Sequence, residues 1–216
     1  PGGEVLVLDR LVRSSLLVLA PDGSLLDEVA VLGPGVPQGG GITGLLSRGD
    51  GVWVEYGHTH SVRVLDHRLL PTSREIQPGR PLDDTTSMGA RLNGLGGAEV
   101  WIQEHPSSLE VAWRELFMSR DIRRIVWLDT TPQGGVVAVF HLLEREPVSP
   151  WRVIYEETAG VVLDQALNPV AELRSPHVIN EFEQFREFFV SNTGAVYQMA
   201  FSQKGVKFLC WRTPGR

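Results

Sequence analysis

The stretch Leu65-Asp66-His67-Arg68-Leu69-Leu70-Pro71 recurs as Leu163-Asp164-Gln165-Ala166-Leu167-Asn168-Pro169. A second match joins Ser73-Arg74-Glu75-Ile76 to Ser119-Arg120-Asp121-Ile122 at an offset of 46 residues, and the 98 residues between the first pair are close to two such periods. Fixed-period self-similarity is read before any local structure. Carried along the chain, the offset sets Leu19, Val111 and Leu209 in phase with Leu65 and Leu163.

A second landmark repeats with the first. A Gly-containing turn precedes a short apolar run in Val5-Leu6-Val7-Leu8, Val52-Trp53-Val54, Val100-Trp101-Ile102, Val136-Val137-Ala138-Val139 and Val196-Tyr197-Gln198-Met199. β-Branched and aromatic residues between Gly turns read as strands. A further strand precedes each later run, at 41–46, 91–95, 125–128 and 185–190. Another follows each anchor, at 27–32, 74–76, 120–122 and 171–173.

Four short strands in about 46 residues resemble a blade of a β-propeller, whose repeats run roughly 40–50 residues. The Leu-Asp-x-x-Leu-x-Pro turn is similar to the hairpin between the third and fourth strands of such blades. The resemblance covers almost the whole chain and extends to the repeat class alone, with neither a Trp-Asp dipeptide nor a kelch double-glycine signature. The expected fold is therefore all-β: one β-propeller domain over residues 1–216 with five visible repeats, roughly 1–32, 41–76, 90–122, 123–174 and 184–212. The first repeat lacks its first strand and the last lacks its fourth. From strand lengths of about 5–6 residues plus turns, some 20–30 upstream residues are expected to supply both. One segment competes: Pro106-Ser107-Ser108-Leu109-Glu110 resembles a helix capping box, with Leu109, Trp113, Leu116 and Phe117 as an apolar stripe. The repeat phase favours strands there.

Composition narrows the function classes. The chain has 216 residues, 20 basic and 26 acidic side chains, a net charge of −6 and 42% hydrophobic residues. Such a chain is long enough for a core without disulfides or structural metal. It has neither the composition of a disordered segment nor the basic balance of a nucleic-acid binder. No apolar run approaches the ~20 residues of a membrane-spanning helix. Lone Cys210 has no internal disulfide partner and reads as a buried or half-buried structural thiol. The opening Pro1-Gly2-Gly3, without an initiator Met, suggests a processed chain, and a periplasmic or secreted location is expected ahead of a cytoplasmic one.

The resemblance implies that ligands meet the loops at one end of the propeller. The richest is Glu55-Tyr56-Gly57-His58-Thr59-His60. In an extended chain His58 and His60 would share a face, which permits a divalent metal, and Glu55 could add an oxygen. Glu104, His105 and His141 fall at nearby phases and complete a candidate ligand or metal cluster, suited also to acid–base work. No cofactor is otherwise expected. Asp83 and Asp84, in the long polar loop 77–87, are partner-contact candidates with affinity for a cation. The insertion Glu144-Arg145-Glu146-Pro147-Val148-Ser149-Pro150-Trp151 in the fourth repeat adds Arg145, Glu146 and Trp151, an aromatic anchor flanked by charge. Gly-rich 33–41 lacks the phosphate-loop signature and reads as a connector. Trp53, Trp101 and Tyr197 share a repeat position and are expected to pack between blades. The expected function is a non-enzymatic module that binds a protein or small ligand. The alternative is a metal-assisted hydrolase or lyase working through the His/Glu cluster.

Overall fold

The computed structural model describes residues 3–9, 15–31, 41–83, 85–104, 111–175, 187–202 and 204–212. Residues 33–40 of the Gly-rich connector and the capping segment Pro106–Glu110 lie outside them. The described residues contain strands and no helix. They form five small antiparallel sheets, the blades of a β-propeller.

The first blade is β1 (Val5–Asp9), β2 (Ser15–Leu19) and β3 (Leu25–Ala30). The second is the meander β4 (Ile42–Arg48), β5 (Gly51–Tyr56), β6 (His60–Asp66) and β7 (Pro71–Pro78). The third runs β11 (Val111–Leu116), β10 (Ala98–Glu104), β9 (Thr86–Leu92) and the two-residue β8 (Arg80–Pro81). The fourth is β12 (Ile122–Thr130), β13 (Val136–Arg145), β14 (Val153–Leu163) and β15 (Pro169–Ser175). The fifth is β16 (Phe188–Val190), β17 (Val196–Ser202) and β18 (Gly205–Trp211). Among the described residues the first and last blades thus have three strands each.

The recurring turn is built by one carboxylate. Asp66 Oδ1 accepts from the N–H groups of Arg68 (2.8 Å) and Leu70 (3.0 Å). Asp164 Oδ1 does the same for Ala166 (3.0 Å) and Asn168 (2.8 Å). Leu69 and Leu167 then take left-handed φ values of 62° and 60°. Asp tolerates this role because its short side chain mimics a backbone acceptor.

In three blades the glycine at the start of the second strand has a steric cause. A Cβ on Gly51 would lie 2.1 Å from the Leu65 carbonyl oxygen, and one on Gly135 would lie 2.1 Å from that of Leu163. In the third blade a Cβ on Gly97 would lie 2.7 Å from the Leu116 oxygen. This contact identifies Leu116, not Val111, as the third anchor. In the fifth blade Val196 pairs with Trp211, as Val52 pairs with Leu65 and Val136 with Leu163, so the anchor there is Trp211 and not Leu209.

The third repeat also departs from expectation at its end. Ser119-Arg120-Asp121-Ile122 is not a fourth strand: Ile122 opens β12 of the next blade. Its likeness to Ser73–Ile76 of β7 is chemical and not positional; in this sheet β11 forms one edge and the two-residue β8 the opposite one, beside β9. The segment 111–116 is a strand, as the repeat phase requires and the capping pattern does not.

Two compact units are separable, Pro1–Gly89 with Gln103–Ser108, and Ala90–Ile102 with Leu109–Arg216. In the first, Leu16 and Val18 of β2 pack with Val52, Val54, Tyr56, Val62 and Leu65 of the second blade. Tyr56 Oη donates to the Val31 carbonyl at 2.8 Å. In the second, Trp127, Val137, Val139, Val162 and Leu173 of the fourth blade pack with Phe188 and Val196 of the fifth. Each such buried side chain stabilises by about 1.5–3 kcal/mol relative to exposure. Ser175 Oγ donates to Gln198 Oε1 at 2.5 Å across the same seam. Trp53 is buried, while Trp101 and Tyr197 are only half-buried.

Candidate functional site

The fourth blade carries a hairpin longer than its sheet. Among the described residues, β12 pairs with β13 as far as Leu142, and β15 pairs with β14 as far as Thr158. Beyond those residues β13 and β14 continue together to the Arg145–Val153 pair. Leu143 N–H also donates to the Asp121 carbonyl at 3.3 Å. The tip is an ordered turn: Glu146 N–H donates to the Arg152 carbonyl at 2.8 Å, and Trp151 N–H to the Val148 carbonyl at 3.1 Å. Trp151 has a left-handed φ of 57°. Val148 is 71% exposed and Trp151 57% exposed, with Val153 and Ile154 also exposed beside them. Arg145 is exposed and Glu146 half-buried.

A polar belt supports the root of this hairpin. Arg120 Nε lies 2.6 Å from Glu144 Oε2, and its guanidinium stands 5.2 Å from the Tyr155 ring centroid. Tyr155 Oη donates to Glu157, which raises the pKa of the phenol and keeps it neutral. Arg174 reaches Glu157 at 2.9 Å and Ser119 Oγ at 3.1 Å. His141, buried on β13, lies 2.8 Å through Nε2 from Glu156 Oε1. His141 was a sequence candidate for a ligand cluster and Glu144 belonged to the insertion; Tyr155, Glu156, Glu157 and Arg174 carried no signal in the sequence.

The second blade holds a different arrangement. Glu55 of β5 is 1% exposed and His58 in the following turn is 3% exposed. His58 Nδ1 lies 3.3 Å from Glu55 Oε1. Burial pushes the Glu55 carboxyl up, but hydrogen bonding and charge from His58, the Arg80 charge and a Thr43 hydrogen bond outweigh it and hold its pKa below the ordinary value. His58 has a left-handed φ of 61°, with Gly57 at 57° before it. The chain is therefore not extended there, and the alternation that would place His58 and His60 on one face does not hold.

His60 instead stacks on Tyr56 at 5.4 Å between centroids, and burial lowers its pKa. The Nε2 atoms of His58 and His60 are buried without a hydrogen-bond partner among the described residues. A carboxylate on Nδ1 fixes the imidazole tautomer and leaves Nε2 as the basic nitrogen.

Glu104 is exposed at the end of β10, and His105 lies outside the described residues. Among the described residues no group of three or more His, Cys, Asp or Glu side chains is arranged to hold a metal ion. Asp83 Oδ1 caps its own turn, accepting from Thr85 N–H at 2.8 Å and Thr86 N–H at 2.6 Å, bonds that lower its pKa. Asp84 lies outside the described residues. Cys210 is exposed on β18 and not buried, because its position alternates with Leu209 and Trp211 onto the open face of the last blade. No protein-family model matches the chain, and no curated protein matches it in sequence. No helix among the described residues is long and apolar enough to cross a membrane.

Proposed function

We propose that the chain is a single propeller domain acting as a non-enzymatic binding module, whose protein partner docks on the tip of the fourth-blade hairpin. The supporting observation is the exposure of Val148, Trp151, Val153 and Ile154 together on a hairpin that outruns both flanking strands. An exposed aromatic with exposed apolar residues and charge close in sequence is the composition of an interaction hot spot. Arg145 and Glu146 at its base would orient the partner, and Asp83 and Asp84 belong to a second loop, proposed as a partner contact in its own right. A photo-crosslinking residue placed at 148 tests the reading. Adducts that vanish in Trp151→Ala support it. Equal adducts from a probe at Leu92, exposed on β9, overturn it.

A metal-assisted hydrolase or lyase is the second reading, favoured by the buried Glu55–His58 pair in a left-handed turn. Backbone of this kind gathers at functional sites. The test is divalent-metal content of the untagged protein by mass spectrometry. A near-stoichiometric ion that is lost in His58→Ala supports this reading, and a metal-free protein removes its metal-dependent form.

A further inference from the structure

In the second blade β7 pairs with the side of β6 away from β5, and in the fourth β15 pairs with the side of β14 away from β13. β11 holds the same third place in its blade, beside β10, and among the described residues no strand pairs with its other side. Residues 117–121 alone join β11 to β12 of the next blade, too few for a turn and a further strand of about 5–6 residues. Alternation puts Val111 and Trp113 on one face of β11 and Ala112 and Arg114 on the other. Trp113 is 63% and Val111 39% exposed. Arg114 is also exposed and forms no ion pair among the described residues. Glu115, the one acidic residue of β11, accepts from Asn93 Nδ2 at 2.6 Å.

The second blade shows what such an edge takes. Arg63 stands two residues before the anchor Leu65, as Arg114 stands two before Leu116. On β7, Glu75 is directly opposite Arg63 and reaches its guanidinium at 2.7 Å. Ile76 is opposite Val62, the residue before Arg63, and the residue before Arg114 is Trp113. We propose that the free edge of β11 takes an extended segment of a partner protein as a fourth, antiparallel strand, with a carboxylate opposite Arg114 and a β-branched residue directly after it, opposite Trp113. Main-chain hydrogen bonds along a bare edge supply most of the affinity. A surface ion pair adds little strength but fixes register and partner choice. A second copy of the chain does not meet this requirement. Antiparallel pairing of two β11 edges across a two-fold axis matches like faces, and Glu115 alternates onto the Trp113 face, away from Arg114.

The edge is on a different blade from the hairpin tip, so the two readings fail separately. A bound strand would run about 14 Å from β9, three strand spacings, so the Leu92 control stays clear of it. The probe is a capped synthetic peptide of residues 71–78, titrated into the isotope-labelled full chain and followed by amide chemical shifts. Shifts are expected at residues 111–116, with binding in the millimolar range or tighter, and Trp151→Ala should leave them unchanged. Arg114→Glu in the chain, or Glu75→Lys in the peptide, should each weaken binding roughly fivefold, and the two together should restore it to within about twofold. Arg114 is exposed, so folding of the variant is not at issue. Two further peptides carry N-methyl groups on alternate backbone nitrogens, one in each phase. Strand addition requires one phase to abolish binding and the other, whose N–H groups point away from β11, to keep it. No shifts at 111–116 with roughly 5 mM peptide, equal effects of the two methylation phases, no rescue by the charge swap, or a concentration-dependent dimer lost in Arg114→Glu would each overturn the proposal.

Discussion

The Glu55 carboxylate and the His58 imidazole meet at 3.3 Å with both side chains almost wholly withdrawn from water. Two such groups are tolerated in a core only as partners, because an unpaired buried charge costs several kcal/mol. The Glu55 pKa is held below its ordinary value, so the unfolded chain takes up its proton first as pH falls. The stability this contributes is complete above the ordinary carboxyl range and is lost as pH drops through the depressed folded value. Urea unfolding from neutral to acid pH should show the decline in the native protein. Glu55→Gln should flatten it, and at neutral pH should cost about 1–3 kcal/mol for the weakened buried contact. An unchanged acid slope would refute the assignment.

His60 carries a second, milder pH dependence. Burial lowers its pKa, so protonation favours the unfolded chain. Stability is full above the ordinary imidazole value and falls as pH drops through the depressed one. His60→Phe keeps the stack on Tyr56 and should remove this part of the slope in the same titration, leaving the Glu55 part in place.

The glycine contacts give a stability prediction with an internal control. Gly135→Ala drives a methyl into the Leu163 carbonyl, and Gly51→Ala does the same at Leu65 while also imposing a side chain at φ 144°. Each should cost about 1–3 kcal/mol or more by denaturant midpoint, as overpacking against backbone does. Gly49→Ala meets nothing within 4 Å and should stay within roughly 0.5 kcal/mol of the native protein.

Trp151→Gly separates binding from folding. The ring is exposed and the backbone left-handed, a conformation glycine adopts freely. Thermal unfolding should be unchanged or slightly raised, while crosslinking to the partner from position 148 should fall roughly tenfold, the scale of a lost aromatic anchor. A drop in melting temperature would show that Trp151 serves the fold instead.

The blades were legible because two copies of one turn, around Asp66 and Asp164, keep the same residues at the points where backbone N–H groups need an acceptor. The third blade was misphased for the converse reason. Ser119–Ile122 matches Ser73–Ile76 in chemistry, but the contact that sets the phase, Gly97 against the Leu116 carbonyl, involves a backbone atom that leaves no mark on residue identity. The candidate site divided in the same way. The insertion around Trp151 was visible as excess length. The His58–Glu55 contact was not, because it depends on a left-handed turn that breaks the alternation assumed for an extended chain.

The hairpin between Leu143 and Glu157 owes its register to the ladder it shares with itself, and the four-stranded part of the blade ends before it begins. Foreign sequence spliced in place of residues 146–152 would thus be presented on a ready-made stalk. The blade beneath would keep every pairing that holds it, which makes this tip the natural graft position for an epitope or a recognition loop.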